Sequence, residues 1–266
     1  MTEGRPIRMF GAFLALTVSI LAASPLHAQT DVAQGLAPKG ELRAAVVVSD
    51  SVLVRRDQQG KVSGVLVDIA NALAAKLGVP LHLVPYENVV RYNQSIGKDE
   101  WDVALAVRDI SRIERLGFSA TIVEADSSYV IRPGNRLTSV DEVDHSGTRV
   151  AVTEHSTADG FVTRTLRKAQ IIRLPTGIEE AREALAFGRA DVYAGNTQLA
   201  YQIAEQLPGA TVLVGRLNSA QISFAVPKSN ASVLSALNDF IQEARKDGTI
   251  ADAIKRAGLR GVRPGH

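Results

Sequence analysis

The sequence has 266 residues, no cysteine and a formal net charge of +2. Without cysteine there is no disulfide, so the fold must hold together by burial. The charges are balanced and form no long runs, which argues against a nucleic-acid surface, where Lys and Arg cluster. This length can bury a core as one large domain or two small ones.

The first stretch reads as a leader rather than as part of the fold. Arg5 and Arg8 give a basic start, Met9 to Ala23 is almost wholly apolar, and Ser24-Pro25-Leu26-His27-Ala28 ends on a small residue. That order is a secretory signal peptide, residues 1–28, with cleavage expected after Ala28. The apolar run falls short of the roughly 20 residues that a membrane helix needs. No cysteine follows it, so a lipid anchor is excluded, and a protein free in the periplasm is expected. Removing Glu3, Arg5 and Arg8 leaves a net charge of about +1.

Residues 29 to 40 are polar and contain Gly35, Pro38 and Gly40, as a loose arm would. Leu42 to Val48 reads as a strand. In Val65 to Leu77, Ile69, Leu73 and Leu77 repeat every four residues, which is helical spacing. Asp68 suits the positive end of that helix, and Gly78 with Pro80 stops it. Leu81 to Val84 is the next strand, Val89 to Ile96 a short helix, and Asp102 to Val107 a buried strand. The alternation predicts a parallel sheet with helices on its faces.

The pattern then restarts. Tyr129 to Ile131 reads as strand, Arg149 to Val152 as strand, Phe161 to Lys168 as helix and Ile171 to Leu174 as strand. Glu179 to Phe187 reads as helix and Asp191 to Gly195 as strand. Two similar units imply two lobes, although no internal sequence repeat is visible. The tail adds a strand over Ile222 to Val226, an amphipathic helix over Ala231 to Lys246, a break at Asp247-Gly248-Thr249 and a last helix over Ile250 to Ala257.

Six segments in this order resemble the solute-binding proteins of ABC importers, in the class that carries polar amino acids (family 3). They are Gly64 to Gly78, Trp101 to Val107, Arg112 with Phe118-Ser119, Gly147 to Thr157, Gly188 to Asn196, and Ala225 to Ser229 with the Lys246 to Thr249 break. The resemblance spans about Gly40 to Gly258. It implies two α/β lobes joined by two crossover strands, with a ligand cleft between them that closes by a hinge motion. The first lobe would comprise residues 37–127 and 220–262, and the second 128–219. An ABC permease is the implied partner, and a monomer is expected because closure needs no second subunit.

The resemblance also nominates a site. Arg112 matches the arginine that grips a ligand carboxylate, a role suited to a planar guanidinium with paired donors. The bland alternative is a surface arginine beside Arg108, Glu114 and Arg115. Two residues of a hydroxyl-rich loop are missing before it, so Arg108 and Asp109 are expected at the cleft instead. Ser156 and Thr157 match the hydroxyl pair at a helix start, where free N–H groups favour an anion, or simply cap that helix. His155 stands where the family has glycine, beside Glu154. Asn196 replaces the aspartate that holds a ligand ammonium in many of these proteins. It can accept a hydrogen bond but offers no counter-charge, and it could equally cap the helix after it. The aromatic platform that often follows the first strand is absent from Ser49 to Val54, where Asp50 is a replacement charge or a loop residue. Trp101 is expected to pack rather than to stack on a ligand. A carboxylate-bearing ligand other than an ordinary α-amino acid is therefore expected.

Two other roles compete. The same fold carries cyclohexadienyl dehydratase activity, and Glu154 with His155 beside a helix start could serve as acid and base. No nucleophile–base signature supports an enzyme. His82, His145 and His155 are scattered, so no metal or other cofactor is implied. A ligand sensor working through a membrane receptor is the other alternative.

Overall fold

The computed structural model describes Met1 and residues 34–48, 53–175 and 178–266; the expected leader and Asp50 lie outside the described residues. The first unit runs β1 (Leu42–Val47), the small hairpin β2 (Arg55–Arg56) and β3 (Val62–Ser63), α1 (Val65–Leu77), β4 (Leu81–Tyr86), α2 (Val89–Ser95) and β5 (Val103–Val107). Helix α1 occupies the residues that its four-residue apolar spacing indicated, with Ile69 and Leu73 buried. Gly78 closes it at φ 70°, a left-handed conformation that glycine adopts without strain. Gly64 starts it at φ 131°, and a Cβ there would sit 2.4 Å from the Leu53 carbonyl oxygen.

A strand of 16 residues follows, β6 (Leu116–Ile131). The second unit is β7 (Arg149–Thr153), α3 (Thr157–Thr165), β8 (Gln170–Leu174), α4 (Ile178–Ala186), β9 (Val192–Asn196), α5 (Thr197–Gln206) and β10 (Thr211–Val212). Strand β11 (Asn218–Pro227), helices α6 (Leu234–Lys246) and α7 (Thr249–Ala257), and β12 (Val262–Pro264) complete the described chain.

Three elements differ from their sequence expectation. The short strand at Tyr129 to Ile131 is the far end of β6, whose polar Glu124, Asp126, Ser127 and Ser128 hid its continuity. Helix α3 begins at Thr157 and ends at Thr165, because Ser156 caps its start and Leu166 turns extended. Residues 228–233 form a 3-10 segment with Asn230 off helical geometry, so the regular helix starts at Leu234.

The sheet order is β4-β1-β5-β11-β6-β9-β7-β8. β4, β1 and β5 are mutually parallel, as are β9, β7 and β8. β11 is antiparallel to both β5 and β6, and β6 is antiparallel to β9. The two parallel sets therefore run in opposite senses, with their carboxyl ends facing each other across the middle of β6. Val107 pairs with Ile222, which pairs with Val123, while Asn196 pairs with Ser127. Along β6 the two facing edges are thus about 13 Å apart, four residues at roughly 3.3 Å each. Ligand sites in open α/β sheets form outside such carboxyl ends. Separate apolar clusters fill the two sides: one centred on Leu42, Ile69, Phe224 and Ile241, others on Tyr129, Val152 and Val162 and on Leu185, Tyr193 and Ile203.

Each unit carries an ion pair of the same design. Asp102 takes the backbone N–H of Arg43 at 3.0 Å and its Nε at 3.1 Å on one oxygen, and Nη2 at 2.6 Å on the other. Asp191 takes the N–H, Nε and Nη2 of Arg149 in the same pattern, at 2.9, 3.0 and 3.0 Å. In each case the aspartate N–H returns a bond of 2.9 Å to the arginine carbonyl. Burial pushes the Asp191 carboxyl up, but the Arg149 side chain and backbone and the Arg132 side chain outweigh it and bring it down to about 2. A depressed carboxyl stabilises the fold above its unfolded pKa near 3.8 and loses that contribution as pH falls through about 2. Asp191→Asn is expected to lower unfolding free energy by about 2 kcal/mol at pH 7. In urea titrations across pH, that deficit should shrink between pH 4 and 2.

Candidate functional site

Arg112 ends a single 3-10 turn directly after β5, at the carboxyl edge of the first parallel set. It is 9% exposed, which sets aside the surface-arginine alternative. Its Nη1 donates to the Val107 carbonyl at 3.2 Å, and its guanidinium carbon lies 5.3 Å from the Tyr92 ring centroid. Its Nε is buried with no acceptor among the described residues. A buried donor left unmatched costs about 1–3 kcal/mol, and because Nε has no accessible surface an oxyanion meets it only if its surroundings open.

Tyr92 was not singled out from the sequence. It lies on α2, fully buried between Tyr86 at 6.0 Å and Trp101 at 5.9 Å, the latter pair stacked at 30°. Trp101 donates Nε1–H to Ser95 Oγ at 2.8 Å, and Ser95 donates to the Tyr92 carbonyl at 2.7 Å. Trp101 thus packs, as expected. Burial drives the Tyr92 phenol up to about 12, with the nearby Arg112 charge opposing. The i, i+4 pair Tyr92 and Ile96 was the available signal for a buried face on α2.

The other nominees from the first unit are turn residues. Asp109 accepts the Ser111 N–H at 2.8 Å and its carbonyl accepts the Arg112 N–H at 3.0 Å. The Ser111 bonds hold its carboxyl below the usual range, and Arg112 and Arg164 add to this. Arg164, on α3, approaches from the second unit and was also missed. The Arg108 side chain is exposed, while its N–H extends the ladder to the Gln221 carbonyl at 2.8 Å.

The second unit presents Ser156, Thr157, His155 and Asn196 at its facing edge. Ser156 Oγ accepts the Asp159 N–H at 3.1 Å, and the buried Asp159 carboxylate accepts the His155 N–H at 3.0 Å. This reciprocal cap uses the Ser156 side chain and satisfies the Asp159 and His155 N–H groups. Thr157 is exposed. His155 adopts φ 62°, which explains why glycine is usual there, and its imidazole is 90% exposed with Nε2 3.8 Å from Glu154 Oε1. Asn196 Oδ1 accepts the Gln198 N–H at 2.9 Å as the cap of α5. The structure therefore brings Arg112, Asp109 and Arg108 to one edge and the other four to the facing edge. Asp50 lies outside the described residues. No group of three or more potential metal-ligating side chains occurs among the described residues.

Two α/β lobes with facing strand ends, joined by long crossover strands, define the class of two-lobed periplasmic binding folds. The model of the bacterial extracellular solute-binding proteins, family 3, matches residues 44–258, and the chain belongs to that family. Two curated relatives are each 25% identical. The cyclohexadienyl dehydratase of Pseudomonas aeruginosa aligns over 181 residues, 66% of each chain. The L-cystine-binding protein TcyJ of Escherichia coli K12 aligns over 209 residues, 72% of each. Among solved structures, a mutant of ArgBP from T. maritima has a TM-score of 0.66 at 23% identity, covering 85% of this chain and 99% of that one. The L-cysteine solute receptor of Neisseria gonorrhoeae has 0.66 at 24%, covering 86% and 92%. No helix among the described residues is long and apolar enough to cross a membrane.

A non-glycine residue in the left-handed region carries a cost of about 1 kcal/mol. His155→Gly is accordingly expected to raise the melting temperature by a few degrees, read by circular dichroism.

Proposed function

We propose that this protein is an extracytoplasmic binding protein that captures a small carboxylate-bearing ligand for an ABC importer. Arg112 carries the reading: a buried guanidinium at the carboxyl edge of the sheet, with a donor still unmatched. The family membership and the binding relatives support transport as the context. The signal-peptide pattern of residues 1–28 supports export to the periplasm, where a monomer would hand its ligand to a membrane permease. In this reading residues 37–127 and 220–262 form the first lobe and 128–219 the second.

The ligand's second anchor differs from that of an ordinary amino-acid binder. Asn196 has an amide where the family often has a carboxylate, and that amide oxygen already caps α5. Ser156 and the start of α3 offer neutral donors instead. An amino acid's ammonium would find no carboxylate from either residue, so dicarboxylates, opines and aromatic acids rank above common L-amino acids.

A thermal-shift screen of refolded protein against these classes, with sugars as controls, tests the reading. A ligand bound only by the folded state raises stability with its concentration. A carboxylate hit is expected, and Arg112→Ala is expected to weaken it at least tenfold. Tight binding of a common L-amino acid, unchanged in Arg112→Ala, would sink the proposal.

The dehydratase relative supports a second reading, in which Glu154 and His155 act on a prephenate-like acid. Both side chains are exposed, and neither sits in the water-excluded setting that tunes an acid–base pair. Incubation with prephenate is expected to yield no phenylpyruvate; steady turnover would replace the binding reading with the enzymatic one.

A further inference from the structure

We propose that Tyr92 is the positioning residue for Arg112, an aromatic plate set beneath the cation instead of beside the ligand. This rests on the reading of Arg112 as the ligand's carboxylate anchor. The family's platform after the first strand is absent from Ser49 to Val54. In its place α2 brings an aromatic ladder, Tyr86, Tyr92 and Trp101, to the end of β5. The ladder is fixed from below by the Trp101-to-Ser95 and Ser95-to-Tyr92 bonds.

An arginine has four side-chain torsions, and holding it for a planar partner costs rotamer entropy. Here the guanidinium carbon lies over the Tyr92 ring and one amino group is tied to Val107. Nε keeps its donor uncommitted. The plate fixes the orientation without consuming a hydrogen bond, because a cation is attracted to the π-face itself. A carboxylate side chain doing the same work would neutralise the charge and occupy the donors. The arrangement thus favours a planar oxyanion over a neutral ligand. The Tyr92 hydroxyl takes no part in this, being buried with no partner among the described residues.

The test needs no knowledge of the natural ligand. In 15N-labelled protein the Arg112 Nε–H resonance is assigned by its loss in Arg112→Lys and titrated with sodium acetate. Wild type is expected to give a saturable shift. Tyr92→Phe should keep the same midpoint within about twofold, and Tyr92→Met, apolar and flexible but without a ring, should raise it about tenfold. Tyr92→Leu replaces the methionine variant if that does not fold. An acetate response in wild type with the same midpoint in the ringless variant overturns the role of Tyr92 alone. No response of Nε–H to acetate in wild type overturns the Arg112 reading and the positioning role with it.

An independent observation carries a second inference: the structure assigns residues 259–266 as a strap that sets the resting angle between the lobes. Arg260 follows α7, whose Ile250, Ala253 and Ile254 belong to the first core, yet all its partners lie on α5 beyond the hinge. Its N–H donates to Gln198 Oε1 at 2.8 Å, its Nη1 reaches Glu205 at 2.9 Å, and its guanidinium lies 4.5 Å from the Tyr201 ring centroid. The Gly261 carbonyl accepts the Asp126 N–H at 2.7 Å, and a Cβ on Gly261 would meet Thr197 at 2.5 Å. β12 then pairs with Val123 to Ala125 of β6. Arg263 grips Glu124 and Asp126 from there, with Ser219 of β11 at 3.4 Å. One short segment therefore touches both crossover strands and a helix of the far lobe.

The chain has no native cysteine, so spin labels at Ala75→Cys and Lys168→Cys report the interlobe distance without background. Arg260→Ala, at an exposed position, is expected to broaden and shift that distribution in ligand-free protein. Arg263→Gln should do so further if it folds. Distributions for Arg260→Ala that superimpose on wild type would overturn the strap.

Discussion

A guanidinium clamped on the aspartate that opens the neighbouring parallel strand occurs once in each lobe, and the cleft depends on both. Parallel strands are joined through helices, so no hairpin turn fixes their register. A slip of one residue would send every side chain of the strand to the opposite face, where a different core packs. The Arg43–Asp102 and Arg149–Asp191 pairs prevent that slip by combining two side-chain bonds, one backbone N–H to carboxylate bond and one backbone–backbone bond across the same pair of residues. The strands they lock, β5 and β9, are the ones that end at Arg112's turn and at Asn196. The clamps sit at the amino ends, far from the facing edges, and so define where the opposite ends stop.

The hinge solves a different problem. Strands β6 and β11 must bend together while carrying Glu124 and Asp126 in a largely buried ladder. A buried carboxylate needs a partner, and Arg263 supplies it from a third strand. Such buried pairs add little net stability compared with apolar packing, but breaking one is costly. Their value here is geometric, since only one register of β12 brings Arg263 to both acids.

Much of this fold was legible because apolar period and glycine punctuation agree. Ile69, Leu73 and Leu77 with Gly78 located α1, and the Gly188 and Asp191 region located β9. The long strand β6 was not legible, because Glu124 and Asp126 look like loop residues until Arg263, more than a hundred residues on, is placed beside them. The repeat of the two clamps escaped notice for a similar reason: it consists of four residues at long separations in otherwise unlike sequence. At the candidate site, family resemblance nominated Arg112, but the packing around it was invisible. Tyr92 reads as one more apolar position of α2, and only packing shows which residue lies above its ring. His155 shows the reverse. Its sequence oddity promised chemistry, and its backbone angle shows a residue held in a glycine's conformation with its ring in solvent.

The two edges of the cleft are chemically unequal, and on the proposed reading that inequality divides the work of binding. The first lobe offers a fixed cation whose surroundings exist before the ligand arrives. The second offers Ser156 and Asn196, neutral and already engaged in capping α3 and α5, with Arg164 of α3 reaching toward Asp109. A ligand closes two lobes only by binding the closed arrangement better than the open one. A carboxylate on Arg112 contributes nearly the same in both, because its partners all lie on one side. The closing free energy must then come from the contacts the far lobe adds, against whatever resistance the hinge presents. Affinity would reside mainly in the first lobe, and discrimination between ligands that share a carboxylate mainly in the second.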